Sequence, residues 1–182
     1  MMKKSVVFAM AVLCACLLGG RAAWAEKDED EKSEKHEMLA GGKVNGETLE
    51  HVKVSMAQGL SGAESQGKPL SAKFESGDGK LQLSVYTMKG NAFSEVIVDH
   101  KTGKIVKTEA ITGGEDLAAA KAQSRALAKA KISLRAAAAK ALKANKGFLA
   151  ISAVPAMKGG HPMADVTLGQ EEEVKTVSIQ LD

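Results

Sequence analysis

Residues that could carry out chemistry are few and far apart in this sequence. His36, His51, His100 and His161 have no i, i+4 spacing and no short-loop pairing, so they lack the pattern of a zinc site. Glu171-Glu172-Glu173 is typical of a solvated turn, with a weak cation site as the alternative. Neither His-Glu-x-x-His nor Gly-x-Ser-x-Gly occurs. We therefore expect no enzyme, no catalytic residue, no metal site and no cofactor.

The start of the chain has the three parts of a secretory signal peptide. Lys3 and Lys4 precede an apolar run over residues 5–18, and Ala23-Trp24-Ala25 is a small-x-small cleavage site. The run is shorter than the ~18 residues needed to cross a bilayer. We expect a signal peptide over 1–25, cleavage after Ala25, a periplasmic or secreted protein and no stable membrane span afterwards. Leu13-Cys14-Ala15-Cys16 keeps a lipid anchor at Cys16 as an alternative.

The charge of the chain argues against a nucleic-acid partner. The 182 residues carry a net charge of +3, but cleavage after Ala25 leaves 22 basic and 22 acidic side chains. Only 3% of residues are aromatic, so few side chains could stack on bases. Both cysteines lie in residues 1–25, which excludes thiol chemistry from the mature chain.

The next segment is charged and the one after it is helical. Residues 26–37 hold seven acids and three lysines, which predicts a disordered linker over 26–44, or an acidic tether that folds onto a basic surface. Asn45 is a plausible N-cap, and an apolar stripe from Leu49 to Leu60 predicts one helix. From Pro69 the apolar period changes to two, which predicts about four antiparallel strands up to residue 110.

The second half repeats this order. An alanine-rich pattern predicts one long helix from about Thr112 to Asn145, and period-two alternation predicts three strands after it. We expect an α+β fold of two repeated units, 45–110 and 111–182, each a helix packed on a small antiparallel sheet. The exposed side of the long helix is basic and is either a solvated face or a docking face for an acidic partner or anionic lipid; its residues are Lys121, Arg125, Lys129, Arg135 and Lys140.

One hairpin carries a family resemblance. Val98-Asp99-His100-Lys101-Thr102-Gly103-Lys104-Ile105 predicts a tight turn in which Asp99 accepts backbone N–H groups and Gly103 takes a left-handed conformation. This stretch resembles the PepSY domain, whose most recognisable segment is a V-D-x-x-T-G-K-hydrophobic hairpin after a helix and earlier strands. The resemblance covers the first unit; the second unit fits by element order only, because it has no T-G-K turn. It implies a PepSY or cystatin-like architecture for both units.

The resemblance implies a non-catalytic, extracytoplasmic module that binds and restrains a peptidase. No His-Glu-x-x-His motif accompanies it, so the restrained enzyme would be a separate protein. An exposed strand edge that pairs with an extended peptide is a plausible means of binding. The alternative is an envelope ligand-sensing or structural protein without a peptidase partner.

Overall fold

The computed structural model describes residues 44–77 and 79–182. The expected signal peptide, Cys16, His36 and all of the charged linker except its last residue lie outside the described residues. The described residues form four helices and seven strands. The helices are α1 (Gly46–Leu49), α2 (Met56–Ala63), α3 (Gly114–Ala128) and α4 (Leu134–Ala144). The strands are β1 (Lys68–Gly77), β2 (Lys80–Lys89), β3 (Ala92–Val98), β4 (Ile105–Ile111), β5 (Leu149–Lys158), β6 (His161–Gln170) and β7 (Glu173–Gln180).

All seven strands belong to one antiparallel sheet in the order β4-β3-β2-β1-β5-β6-β7. The expected α+β class is therefore present, but the sequence predicts a small sheet in each half and the structure joins both halves into one. The junction is short: Ala72 pairs with Ala153, and Lys73 pairs with Ser152. Strands β4 and β7 are the edges of the sheet.

The core lies between one face of the sheet and the helices. On β2 and β3 the residues Leu83, Val85, Val96 and Val98 are fully buried, and they pair across the two strands. Helices α2 and α4 pack on the sheet and against each other. Four small or aliphatic residues of α4 face this core, which lets the helix lie close to the strands: Leu134, Ala137, Ala138 and Ala141.

The helix predicted between Asn45 and Leu60 is two short helices. Asn45 does cap α1, since its side chain accepts from the N–H of Thr48 at 2.9 Å. The helix then stops because the N–H groups of Lys53 and Val54 both donate to the carbonyl of His100, at 3.0 and 3.1 Å. Ser55 starts α2 as a new N-cap. A bond to a distant turn thus overrides a continuous helical pattern.

The single long helix predicted up to Asn145 is also wrong, for the same reason. The N–H groups of Lys131 and Ile132 donate to the carbonyl of Leu181 at 2.7 and 3.0 Å, so they cannot continue α3. Ser133 then caps α4 by accepting from the N–H of Ala136 at 3.1 Å. Alanine-rich periodicity favours an unbroken helix, but serine is among the strongest N-cap residues and fits this break.

Candidate functional site

The turn between β3 and β4 is held by Asp99. One oxygen of its carboxylate accepts from the Thr102 hydroxyl at 2.8 Å and from the N–H groups of Thr102 and Lys101 at 2.7 and 3.1 Å. These bonds, the Thr102 hydroxyl first, hold the pKa of Asp99 below its usual value. Gly103 has φ of 72°, and its N–H donates to the Asp99 carbonyl at 2.8 Å. Val98 then pairs with Ile105.

This turn also supports the helical layer. The carbonyl of His100 is the acceptor that ends α1, as described above. A Cβ atom on Gly103 would lie 3.5 Å from the side chain of Val54. The five residues that carry the resemblance, Val98, Asp99, Thr102, Gly103 and Lys104, therefore build a structural joint. Lys104 takes part through its backbone, whose carbonyl accepts from the N–H of Asp99 at 2.9 Å.

The basic residues predicted on one helix are divided between two. Lys121, Arg125 and Lys129 follow each other along α3 and its C-cap, while Arg135 and Lys140 belong to α4. All five side chains are exposed. Arg135 is also engaged, since its guanidinium donates to the Ser61 hydroxyl of α2 at 2.7 Å. The expected continuous docking face is thus interrupted by the bend at 129–133.

The remaining chemistry-bearing residues stay apart. Among residues 44–77 and 79–182, no three His, Cys, Asp or Glu side chains come close enough to hold a metal ion. His161 pairs with the carboxylate of Asp182 at 2.9 Å, His51 is exposed and His100 is half-buried. Glu171, Glu172 and Glu173 are exposed at the β6–β7 turn.

Polar side-chain contacts also join neighbouring elements of the fold. The hydroxyl of Tyr86 on β2 donates to Asp116 of α3 at 2.7 Å, and burial together with this carboxylate raises the pKa of Tyr86. On the second half of the sheet, Lys158 donates to Asp165 at 2.6 Å and to Ser178 at 3.1 Å. Burial raises the pKa of Asp165, but the bonds from Lys158 and Ser178 outweigh it and hold that pKa below its usual value.

Two clefts open between the helices, and sequence reasoning did not find them. The first, which we call the apolar cleft, has a volume of about 380 Å³; it is lined mainly by Leu49, Val52, Met56, Phe74, Leu142 and Leu149, with Lys53 at its margin. The second, the charged cleft, has a volume of about 300 Å³; its lining includes Glu64, Lys68, Leu127, Lys131, Leu134 and Arg135. Both volumes lie at the low end of the range for small-molecule sites.

A sequence signal for the clefts exists. Lys53-Val54-Ser55-Met56 and Lys131-Ile132-Ser133-Leu134 share a pattern of Lys, a β-branched residue, Ser and a long apolar residue. Each segment connects two helices and lines one of the clefts. The two segments lie inside continuous helical patterns, so hydrophobic periodicity alone does not indicate that they interrupt the helices and line the clefts.

The sheet has two edges. Strand β4 carries an exposed ion pair between Lys107 and Glu109 at 2.9 Å. Strand β7 pairs with β6 on one side, and no other described strand lies on its outer side. Val174 at its start is 48% exposed, and the ammonium of Lys175 lies 3.6 Å from the centroid of the Phe148 ring. A free antiparallel edge of this kind offers backbone N–H and C=O groups to another strand.

Comparisons with known proteins give a distant structural neighbour. No protein-family model matches the chain, and no curated protein matches it. The crystal structure of a "putative lipoprotein" from Clostridium difficile 630 is similar at 13% identity, with 72% of this chain and 88% of that chain covered and a TM-score of 0.42. Within the described part of the chain, every helix is too short or too polar to traverse a lipid bilayer.

Proposed function

We propose that this chain is an exported, non-catalytic binding module of PepSY type that holds an extended segment of an extracytoplasmic protein. A peptidase is the class of partner that the resemblance implies, and the partner would be restrained by occupation of its surface. The observation that carries the proposal is the outer edge of β7, beside which no other described strand lies. Its importance depends on a second proposal, that the fold is a tandem duplication.

The strands support a duplication. Strands β1, β2 and β3 begin at Lys68, Lys80 and Ala92, and strands β5, β6 and β7 begin at Leu149, His161 and Glu173, so one constant offset relates all three pairs. The register shifts between Pro69 and Ser71 in one half and between Ala150 and Ser152 in the other, and the same offset relates these two shifts. Bulges are specific features of a strand pair, so the agreement of their positions favours a common origin.

The helices support the same proposal. The connection before α2 donates two N–H groups to the carbonyl of His100, just beyond β3. The connection before α4 donates two N–H groups to the carbonyl of Leu181, just beyond β7. A serine N-cap follows in both cases, Ser55 and Ser133. The halves differ in that α3 is several turns long while α1 is a single turn.

The proposed duplication is the reason to expect a partner strand beside β7. Strand β3 corresponds to β7, and the outer side of β3 is occupied by β4. No described strand occupies the matching position beside β7, so a strand from a partner would complete the second unit as β4 completes the first. Main-chain hydrogen bonds would supply affinity in such β-augmentation, and side chains on alternate residues would supply selectivity.

A second function has its own supporting observation. An envelope protein that senses a small ligand needs a site for that ligand, and the apolar cleft has a suitable volume. This alternative requires neither a peptidase nor a free strand edge. The two functions therefore predict different responses when β7 and the cleft are altered separately.

Hydrogen exchange together with peptidase inhibition tests the β7 proposal. The exported protein is mixed with a panel of metallopeptidases of thermolysin type, and residual activity and backbone amide exchange are measured. We expect inhibition by at least one enzyme and new protection of every second amide in β7. Thr176→Lys should weaken inhibition, because lysine on an edge strand opposes pairing with another strand.

Thr108→Lys is the matched control, since Thr108 and Thr176 are exposed threonines on the two edge strands. It should leave inhibition unchanged. Inhibition that Thr176→Lys does not weaken, or protection that appears away from β7, would refute the edge-strand mechanism. Failure to bind or inhibit any enzyme of the panel would refute the assignment of a peptidase partner.

A further inference from the structure

The two clefts occupy equivalent positions in the proposed duplication. Each cleft is formed where the helix connection of one half meets the second helix and first strand of the other half. Two sequence offsets relate the lining residues of the two clefts. Residues of the helices and of the connections between them are related by the offset between Ser55 and Ser133, and residues of β1 and β5 are related by the offset between Lys68 and Leu149. The corresponding lining pairs include Leu49 with Leu127, Val52 with Ala130, Met56 with Leu134, Leu60 with Ala138 and Pro69 with Ala150.

The pairs that differ make one cleft apolar and the other charged. Glu64 and Lys68 of the charged cleft correspond to Leu142 and Leu149 of the apolar cleft. Arg135 of the charged cleft corresponds to Ala57. Leu149 is 46% exposed, so its apolar side chain is not explained by burial in the core. Together with the half-buried Val52 and Leu142, it gives the cleft an apolar surface that is open to solvent, and such a surface suits an apolar ligand.

The walls of the apolar cleft offer apolar side chains more than hydrogen-bonding groups. The N–H of Val52 donates to Leu49, and those of Lys53 and Val54 donate to His100. The Ser55 hydroxyl is also occupied, because it bonds with the Gln58 side chain and accepts from its N–H. A peptide backbone would leave polar groups unpaired along this wall, which costs free energy. A hydrocarbon chain has no polar groups to leave unpaired, so it avoids this cost.

The cleft margin carries a single ionisable group. Lys53 is exposed, no acidic residue lines the cleft, and Lys53 makes no ion pair with another described side chain. A ligand with one anionic group at the end of an apolar chain therefore complements the charge of the site.

We propose that the apolar cleft binds a free medium-chain fatty acid, with its hydrocarbon chain between α2 and α4 and its carboxylate paired with Lys53. The proposal rests on the second function proposed above and deepens it, because it names the class of ligand that the apolar cleft would take; it needs neither β7 nor a peptidase. Under this proposal only one half of the fold binds a fatty acid. The charged cleft is built from the corresponding elements, but its charged side chains exclude an alkyl chain.

Laurate binding to the exported protein tests the proposal. Calorimetry and displacement of a fluorescent fatty acid, both below the micelle concentration of laurate, should give saturable binding of one molecule per chain. The double variant Leu142→Glu with Leu149→Lys gives the apolar cleft the two side chains that the charged cleft has at the corresponding positions, Glu64 and Lys68. This variant should bind laurate about tenfold or more weakly, since charges replace the apolar lining.

Two further variants make the result specific. Glu64→Leu with Lys68→Leu alters the charged cleft in the opposite sense and should leave the affinity of the apolar cleft unchanged. Lys53→Gln should weaken laurate about two- to fivefold, as expected for an exposed ion pair, and should leave dodecanol binding unchanged. Because Lys53 is exposed, this variant keeps the proposal testable if the double variant in the apolar cleft does not fold.

Four results would overturn the proposal: no saturable laurate binding, undiminished binding by the folded Leu142→Glu and Leu149→Lys variant, undiminished laurate binding by Lys53→Gln, or occupation of the cleft by an apolar peptide but not by laurate. The last result would assign the cleft to a protein partner. None of these results bears on the exchange of the β7 amides, so failure of this proposal is distinguishable from failure of the proposed function.

Discussion

Replacement of Gly59 by alanine tests how α2 is seated on the sheet. Gly59 is buried on α2, and a Cβ atom there would overlap Leu83 Cδ2. Leu83 is itself fully buried, so it cannot move aside without disturbing the core. Overpacking of a core costs about 1–3 kcal/mol. Alanine regains about 1 kcal/mol in a helix interior. We therefore expect a net loss of about 1 kcal/mol of folding stability.

Gly62 provides the matched control in the same helix. It is exposed, and a Cβ atom there would meet only the carbonyl oxygen of Gly103, at 3.6 Å. Gly62→Ala should therefore stabilise the protein by about 0.5–1 kcal/mol. For a domain of this size 1 kcal/mol is about 2–4 °C in Tm, so thermal unfolding should separate the two variants by several degrees. If both variants raise Tm equally, then Leu83 is free to move and the glycine is not required for packing.

Three further predictions concern titration and turn conformation. Asp99 has a lowered pKa in the folded state, so its contribution to folding stability is lost as pH falls below about 4. In urea unfolding measured from pH 7 to pH 3, Asp99→Asn should therefore show a weaker loss of stability with acid than the parent protein. Tyr86 has a raised pKa, so stability should fall as pH rises above about 10, where the unfolded state ionises first; Tyr86→Phe should remove this loss. Tyr86 is the only tyrosine, so an ultraviolet titration that gives an ordinary phenol pKa would contradict the bond to Asp116. Glu171 has φ of 51°, and the proposed duplication relates it to Gly90 in the turn between β2 and β3, with φ of 62°. Glu171→Gly should raise stability by about 0.5–1 kcal/mol in thermal unfolding, and a lower Tm would show that the turn is unstrained.

Local features of this protein could be read from its sequence. Period-two alternation predicts the strands that the structure contains, because alternate side chains point to opposite faces of a sheet. Asn45 is predicted as an N-cap and has this role, with the Thr48 N–H as its donor. Gly103 is predicted in a left-handed conformation and has it. Each of these features depends on residues within a few positions of one another.

The helical layer could not be read in the same way. The patterns from Leu49 to Leu60 and from Thr112 to Asn145 favour unbroken helices, yet both are interrupted by N–H groups that donate to distant carbonyls. Those acceptors, His100 and Leu181, lie beyond the third strand that follows their donors in the chain. Helical periodicity contains no information about such bonds, so it overestimates the length of the helices.

The clefts and the single sheet are assembled only by the tertiary structure, although two short sequence segments mark the clefts. Leu142 and Leu149 are ordinary positions in their own elements, and they become part of one surface with Met56 only when α4 packs beside α2. The pairing of Ala72 with Ala153 likewise joins strands from opposite halves of the chain. Sequence pattern determined which segments are strands and which turns are tight, since these depend on neighbouring residues. The tertiary structure decided where the helices break and which side chains meet at a site, since those depend on contacts between distant segments.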